Sequence, residues 1–102
     1  MKDAFIVVWE FWVRAGEESR FEGVYGPQGP WVRLFMSDPA YGGTRLVRDV
    51  REPRRYLTFD SWASRGAYDA FRQKHAAEYV AIDRECESLT ESENEVGCFN
   101  AV

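Results

Sequence analysis

The feature that most constrains the fold is the first apolar segment, residues 5–14, with the sequence FIVVWEFWVR. Its β-branched and aromatic residues are typical of a strand. Apolar side chains occupy both alternating faces, and only Glu10 interrupts the second face. A strand that is apolar on both faces has to be covered on both faces. Two covering layers are therefore needed, one on each face of this strand.

The middle of the chain alternates short helical and extended patterns. Helical spacing of apolar residues predicts helices over 17–25 and 31–37, separated by a Gly-Pro-rich segment. Segments 41–50 and 55–62 mix β-formers with polar residues and are predicted to be strands joined by a turn at 51–54. These two strands indicate an antiparallel hairpin.

The clearest helical pattern covers residues 64–87, which we predict to be one long helix with Ser64 as its N-cap. The acidic segment 87–95 is predicted to link it to a last strand over 96–102. One stripe of the helix is formed by residues that recur three or four positions apart: Tyr68, Phe71, His75, Tyr79, Ile82 and Cys86.

The element order β-α-(α)-β-β-α-β predicts an α+β fold: a ferredoxin-like βαββαβ sandwich with an antiparallel sheet, as a single domain over residues 1–102. The helices then cover one face of the sheet only. Because residues 5–14 are apolar on both faces, a second copy of the chain is the simplest cover for the other face. We therefore predict a homodimer formed by sheet-to-sheet packing.

Composition and charge narrow the function. Seventeen acidic residues against thirteen basic ones give a net charge of −4, which disfavours nucleic acid as a partner. No apolar run approaches the roughly 18–20 residues that cross a membrane. The two cysteines, Cys86 and Cys98, form no disulfide framework and are predicted to be buried thiols in a reducing cytoplasm. Aromatic residues make up 16% of the chain, so some rings are expected to line a pocket or an interface.

Several motifs together resemble one known family. They are FEGVYGP at 21–27, DPAYGGT at 38–44, RYLTFDSW at 55–62, the start of the long helix at 64–68 and GCF at 97–99. With these motifs the chain resembles the antibiotic biosynthesis monooxygenase family of dimeric α/β-barrel proteins over nearly its whole length. The resemblance implies dimers whose sheets form a barrel, and an apolar pocket between sheet and helices in each protomer.

The resemblance also implies a type of chemistry. Some members oxidise aromatic substrates with O₂ and no cofactor, because the enolate or phenolate of the substrate supplies the electron. The sequence contains no GxGxxG, P-loop or metal-ligand cluster, and its single histidine cannot make a metal site alone. We therefore expect no cofactor and no metal, and a small aromatic ligand.

Trp62 and Tyr68 match, at the same spacing, a Trp and a Tyr that some of these oxygenases place against the substrate. Their N–H and O–H groups would orient the ligand. The same oxygenases carry Asn where this chain has Thr58, which is assigned a supporting, substrate-binding role. The alternative interpretation is that Trp62 and Tyr68 only fill the core.

His75 is the candidate general base, since an ordinary histidine pKa of about 6.5 suits removal of a phenolic proton. The alternative is a structural histidine held by a hydrogen bond. Haem degradation is a rival within the family. It is disfavoured because Phe71 stands at the position of a Trp of those members, and Ala81 at that of their iron ligand. Phe71 is instead counted among the substrate-binding candidates.

Two acids interrupt apolar strands, Glu10 and Asp60. Either can act as a base if burial raises its pKa, or can pair with one of the nearby arginines Arg45, Arg48 and Arg55. The sequence thus favours a cofactor-independent monooxygenase acting on a small aromatic or polyketide-like substrate. The alternative is a non-catalytic binding or accessory protein that uses the same pocket.

Overall fold

The structure is a computed structural model that describes residues 5–102. Its elements follow in the order β1 (Phe5–Val13), α1 (Glu18–Tyr25), α2 (Pro30–Phe35), β2 (Tyr41–Arg48), β3 (Arg55–Trp62), α3 (Arg65–Lys74), α4 (Ala76–Cys86) and β4 (Thr90–Asn100). The four strands form one antiparallel sheet in the order β2-β3-β1-β4. The predicted α+β, ferredoxin-like fold is confirmed.

The long helix predicted over 64–87 is wrong as a single element. The N-cap is as predicted, because the Ser64 hydroxyl accepts a hydrogen bond from the Ala67 amide at 3.0 Å. The helix is interrupted at His75, whose backbone (φ −110°, ψ 28°) leaves the helical range. Two helices, α3 and α4, are therefore present where one was expected.

The last strand is longer than predicted. The acidic segment 87–95 was expected to be a linker, but β4 begins at Thr90. Backbone pairing with β1 provides the hydrogen bonds, with Phe11 opposite Glu93 and Trp9 opposite Glu95. Acidic side chains are tolerated because β4 is an edge strand that water reaches. For the same reason Cys98 is exposed, so its predicted burial is wrong, whereas Cys86 is buried as predicted.

The two faces of the sheet differ in their cover. On the helix face, alternate β1 residues pack with rings from the helices, and Val7, Val13 and Phe21 are fully buried. On the opposite face the described residues form a surface, the open sheet face, with no helix over it. Its apolar members are Ile6, Val8, Trp12, Val47, Leu57, Phe59 and Phe99. No helix within residues 5–102 is long and apolar enough to span a membrane.

Candidate active site

A cavity lies between the helix face of the sheet and the helices, and we call it the central cavity. Its volume is about 110 Å³. Its apolar wall consists mainly of aromatic rings from β1 and all four helices: Trp9, Phe11, Tyr25, Trp31, Phe35, Tyr68 and Tyr79. An apolar cavity of about 150 Å³ holds a benzene molecule. The central cavity therefore has room for about one flat ring.

Six polar side chains also line the central cavity. Thr44, Thr58 and Asp60 project from the sheet, while Arg72, Asp83 and Glu93 lie on α3, α4 and β4. The second group is exposed and marks the mouth of the cavity. A wall of rings with a few placed polar groups is typical of a small-molecule site.

The carboxyl group of Asp60 is the main polar feature of the sheet side of the cavity. Thr44, directly opposite it on β2, donates a hydrogen bond of 2.6 Å to its Oδ1. Tyr41 in turn bonds to the Thr44 hydroxyl. Burial raises the pKa of Asp60 to about 6, although the bond from Thr44 lowers it. No Lys or Arg nitrogen of residues 5–102 lies within 4.0 Å of this carboxylate.

Glu10, the other acid in a strand, has a different environment. Its side chain belongs to the open sheet face, where Arg55 donates to its Oε2 at 2.6 Å. The same guanidinium donates to Asp49 at 2.8 Å. The alternative interpretation, an arginine partner, is thus correct for Glu10, whereas Asp60 faces the cavity with only hydroxyl partners.

The helix side of the cavity combines a cation with two phenol rings. The Arg72 guanidinium lies 5.6 Å from the ring centre of Tyr68 and 5.4 Å from that of Tyr79. Such distances are typical of cation–π contacts. Burial raises the pKa of Tyr68 to about 12, so its hydroxyl is a donor at neutral pH. The Tyr79 hydroxyl is buried and has no hydrogen-bond partner among the described residues.

The predicted site residues separate into two groups. Thr58 and Tyr68 line the central cavity. Trp62 and Phe71 do not line it: they are buried behind Tyr68, with Trp62 5.6 Å from Tyr68 and 4.9 Å from Phe71 between ring centres. Of the five predicted residues, two thus reach the cavity and two lie behind them in the core.

His75 lies outside the cavity lining, at the junction of α3 and α4. Its ring packs 4.4 Å from that of Phe71, and its Nδ1 is 3.2 Å from a carboxylate oxygen of Glu78. This position matches the alternative interpretation of a histidine held by a hydrogen bond. Its predicted role as the base stays a prediction.

The sequence did not point to Arg72, and Tyr79 was predicted only as a member of the apolar stripe of the long helix. One signal for Arg72 was available: it follows Tyr68 by four positions, a spacing that places two helical side chains side by side. The position of Tyr79 depends on the interruption at His75, for which the sequence contains no Pro or Gly signal.

The fold and the cavity together define a small α+β protein with a ring-lined cavity between sheet and helices. The sequence model of the antibiotic biosynthesis monooxygenase family matches residues 4–82. The chain therefore belongs to this family, and the resemblance seen in its motifs is confirmed. The comparison with curated proteins gave no match.

Solved structures share the fold. SnoaB, a cofactor-independent oxygenase from Streptomyces nogalater, is 19% identical and superposes with a TM-score of 0.78, covering 99% of this chain and 95% of SnoaB. SO0527 of Shewanella oneidensis is 19% identical with a TM-score of 0.71, covering 98% and 93%. PA3566 of Pseudomonas aeruginosa is 10% identical with a TM-score of 0.71, covering 100% and 97%. At these identities the likeness concerns the fold.

Proposed function

We propose that the protein is a cofactor-independent monooxygenase that oxidises a small phenolic or polyketide-like ring in the central cavity. The observation that carries the proposal is the cavity itself, a chamber of aromatic walls that also holds an uncompensated carboxylate, in a chain of this monooxygenase family. A flat, electron-rich ring fits both the size and the chemistry of such a chamber, and the further rings of a fused polycycle would extend through its mouth.

The reaction needs little from the protein. An activated CH₂ of the substrate loses a proton to give an enolate or phenolate, which transfers an electron to O₂. A C–O bond then forms, the resulting peroxide takes up a proton, and loss of water leaves a carbonyl group. The sum is CH₂ + O₂ → C=O + H₂O, so O₂ is the only oxidant.

The cavity residues orient the ring in this proposal. The Tyr68 hydroxyl donates to a substrate oxygen, and the Thr58 hydroxyl lies on the opposite, sheet side. Trp62, which packs on Phe71, holds the Tyr68 ring from behind, so neither Trp62 nor Phe71 meets the substrate. His75 packs on Phe71 outside the cavity lining, so a role as the base would require it to act at a distance from the substrate.

Aerobic turnover of a hydroxyanthrone tests this proposal. We expect oxygen uptake and a quinone product from the wild-type protein, with neither in the absence of O₂. Tyr68→Phe is expected to lower kcat/KM about tenfold, the effect of one lost hydrogen bond of about 1.4 kcal/mol. Tyr56→Phe is the matched control, because it removes a hydroxyl that bonds to Glu22 away from the cavity. Tight binding of phenols without any turnover would favour the non-catalytic binding protein instead.

We also propose that the protein works in a reducing cytoplasm, to which its two free thiols are suited. We further propose that it is a homodimer. The open sheet face carries apolar side chains, and Phe99 on it is 50% exposed. Phe59→Glu on this face is expected to give monomers, because it places a charge in the apolar interface. Arg45, opposite Phe59, can pair with this charge within one protomer, so the protomer itself should stay folded.

Light scattering at micromolar concentration measures the mass. Val80→Glu, on the exposed surface of α4, is the control that should keep the wild-type mass. A monomeric wild-type protein would contradict the proposed dimer.

A further inference from the structure

The mechanism requires a group that takes a proton from the substrate, and the structure offers one inside the central cavity. We propose that Asp60 is this proton acceptor, with Thr44 and Tyr41 as the groups that position its carboxylate. This inference rests on the proposed function and deepens it. It identifies the substrate as a ring with an acidic O–H or C–H that can reach the sheet side of the cavity.

The hydrogen bonds of Asp60 leave one oxygen free for a ligand. Oδ1 accepts the bond from Thr44, and the Thr44 hydroxyl is bonded to the Tyr41 hydroxyl. Since Thr44 donates to the carboxylate, Tyr41 donates to Thr44. Oδ2 has no hydrogen-bond partner among the described residues, and Asp60 lines the cavity. A ligand proton therefore has a free acceptor, Oδ2, on a carboxylate that Thr44 holds in place through Oδ1.

The charges around Asp60 do not neutralise it. Within residues 5–102, Arg72 is the only cation of the cavity lining, and its guanidinium lies over the rings of Tyr68 and Tyr79. The pKa of Asp60 is raised to about 6 mainly by burial, which is close to the working pH that general-base catalysis favours. The titratable groups around Asp60 and the cavity lie on five elements: Tyr25 on α1, Tyr41 on β2, Tyr68 and Arg72 on α3, Tyr79 and Asp83 on α4, and Glu93 on β4.

The Asp60 carboxyl group takes up the substrate proton and later returns it, so the protons of the reaction balance. Ionised Asp60 takes the substrate proton on Oδ2 and becomes the neutral acid, while the substrate becomes the enolate or phenolate. After O₂ has added as the peroxide, the same acid returns the proton to the peroxide oxygen. Loss of water then gives the carbonyl product, and Asp60 is again a carboxylate.

Asp60→Asn tests the proposal by kinetics. A general base contributes about 10²–10⁴-fold, so kcat should fall at least a hundredfold while KM stays within about threefold. The wild-type kcat should rise with pH through an apparent pKa near 6. Thr44→Val should move that limb to higher pH, because it removes the hydroxyl that stabilises the ionised form. Asp69→Asn, an exposed acid on α3, is the matched control.

A second measurement does not depend on turnover. Carboxyl ¹³C NMR of aspartate-labelled protein identifies Asp60 by the signal that is lost in Asp60→Asn. We expect it to titrate near pH 6 and to become protonated at pH 7.5 when a hydroxyanthrone is added without O₂. An Asp60 signal unaffected by the phenol, or full kcat in Asp60→Asn, would overturn the assignment. A wild-type protein without turnover contradicts the proposed function instead, and the NMR result still decides on Asp60.

Discussion

Trp62→Ala is expected to lower the free energy of unfolding by about 3–5 kcal/mol, the usual cost of removing a large aromatic side chain from a core. Trp62 is fully buried, and its ring contacts those of Phe35, Tyr41, Tyr68 and Phe71 at centre distances of 4.9–5.6 Å. These neighbours belong to several elements and cannot all collapse into the space left. Urea unfolding at a fixed protein concentration measures the change, because dimerisation would make the apparent stability depend on concentration.

Trp62→Phe separates packing from ligand contact. The indole Nε1 is buried with no hydrogen-bond partner among the described residues, and an unpaired buried donor is costly by about 1–3 kcal/mol. Phe removes this donor and keeps an aromatic ring, so we expect a loss well below that of Ala. If Trp62 only supports Tyr68, Trp62→Phe also keeps the affinity for phenols. A large loss of affinity with little loss of stability would instead restore the substrate-orienting role predicted from the sequence.

The fold was predictable because its decisive signals are local. Both faces of residues 5–14 are apolar, the 55–62 strand alternates, and Ser64 caps α3. The two errors share a physical cause. The interruption at His75 and the acidic residues of β4 are dictated by packing and strand pairing with distant segments, which override local propensity. His75 is not a helix breaker, and the acidic residues of β4 are not β-formers. The local pattern of the sequence therefore indicates neither feature.

The candidate site was predictable only in part. Alternation places Thr58, Asp60 and Trp62 on one face of β3, but it does not indicate which of them reaches a cavity. The neighbours of each acid depend on the face and register of its strand. Asp60 lies on the helix face opposite Thr44, whereas Glu10 lies on the open sheet face and pairs with Arg55. Because alternate residues of a strand point to opposite faces, the face decides which acid meets an arginine and which meets the cavity.

Asp60→Asn is expected to stabilise the protein at pH 8 while it lowers kcat at least a hundredfold. Because the pKa of Asp60 is raised to about 6 from its ordinary 3.8, the folded state favours the neutral acid. Below about pH 4 the group is neutral in folded and unfolded chains and has no effect. Between about pH 4 and pH 6 the group is ionised in the unfolded chain but still protonated in the folded protein, so the fold loses stability progressively. Above pH 6 the group is ionised in both states, and the loss has reached its full value of about 2–3 kcal/mol. Asn is neutral at every pH and removes this cost.

Unfolding of both proteins at pH 4 and pH 8 measures the difference. We expect nearly equal stabilities at pH 4 and a more stable Asp60→Asn protein at pH 8, with Asp69→Asn like the wild type at both. A purely structural acid behaves in the opposite way, because its loss weakens the folded protein wherever its partners are ionised. A variant that loses activity and gains stability at pH 8 thus carries the signature of a charge kept in the cavity for chemistry. An Asp60→Asn protein less stable than the wild type at pH 8 would show that the carboxylate serves the fold.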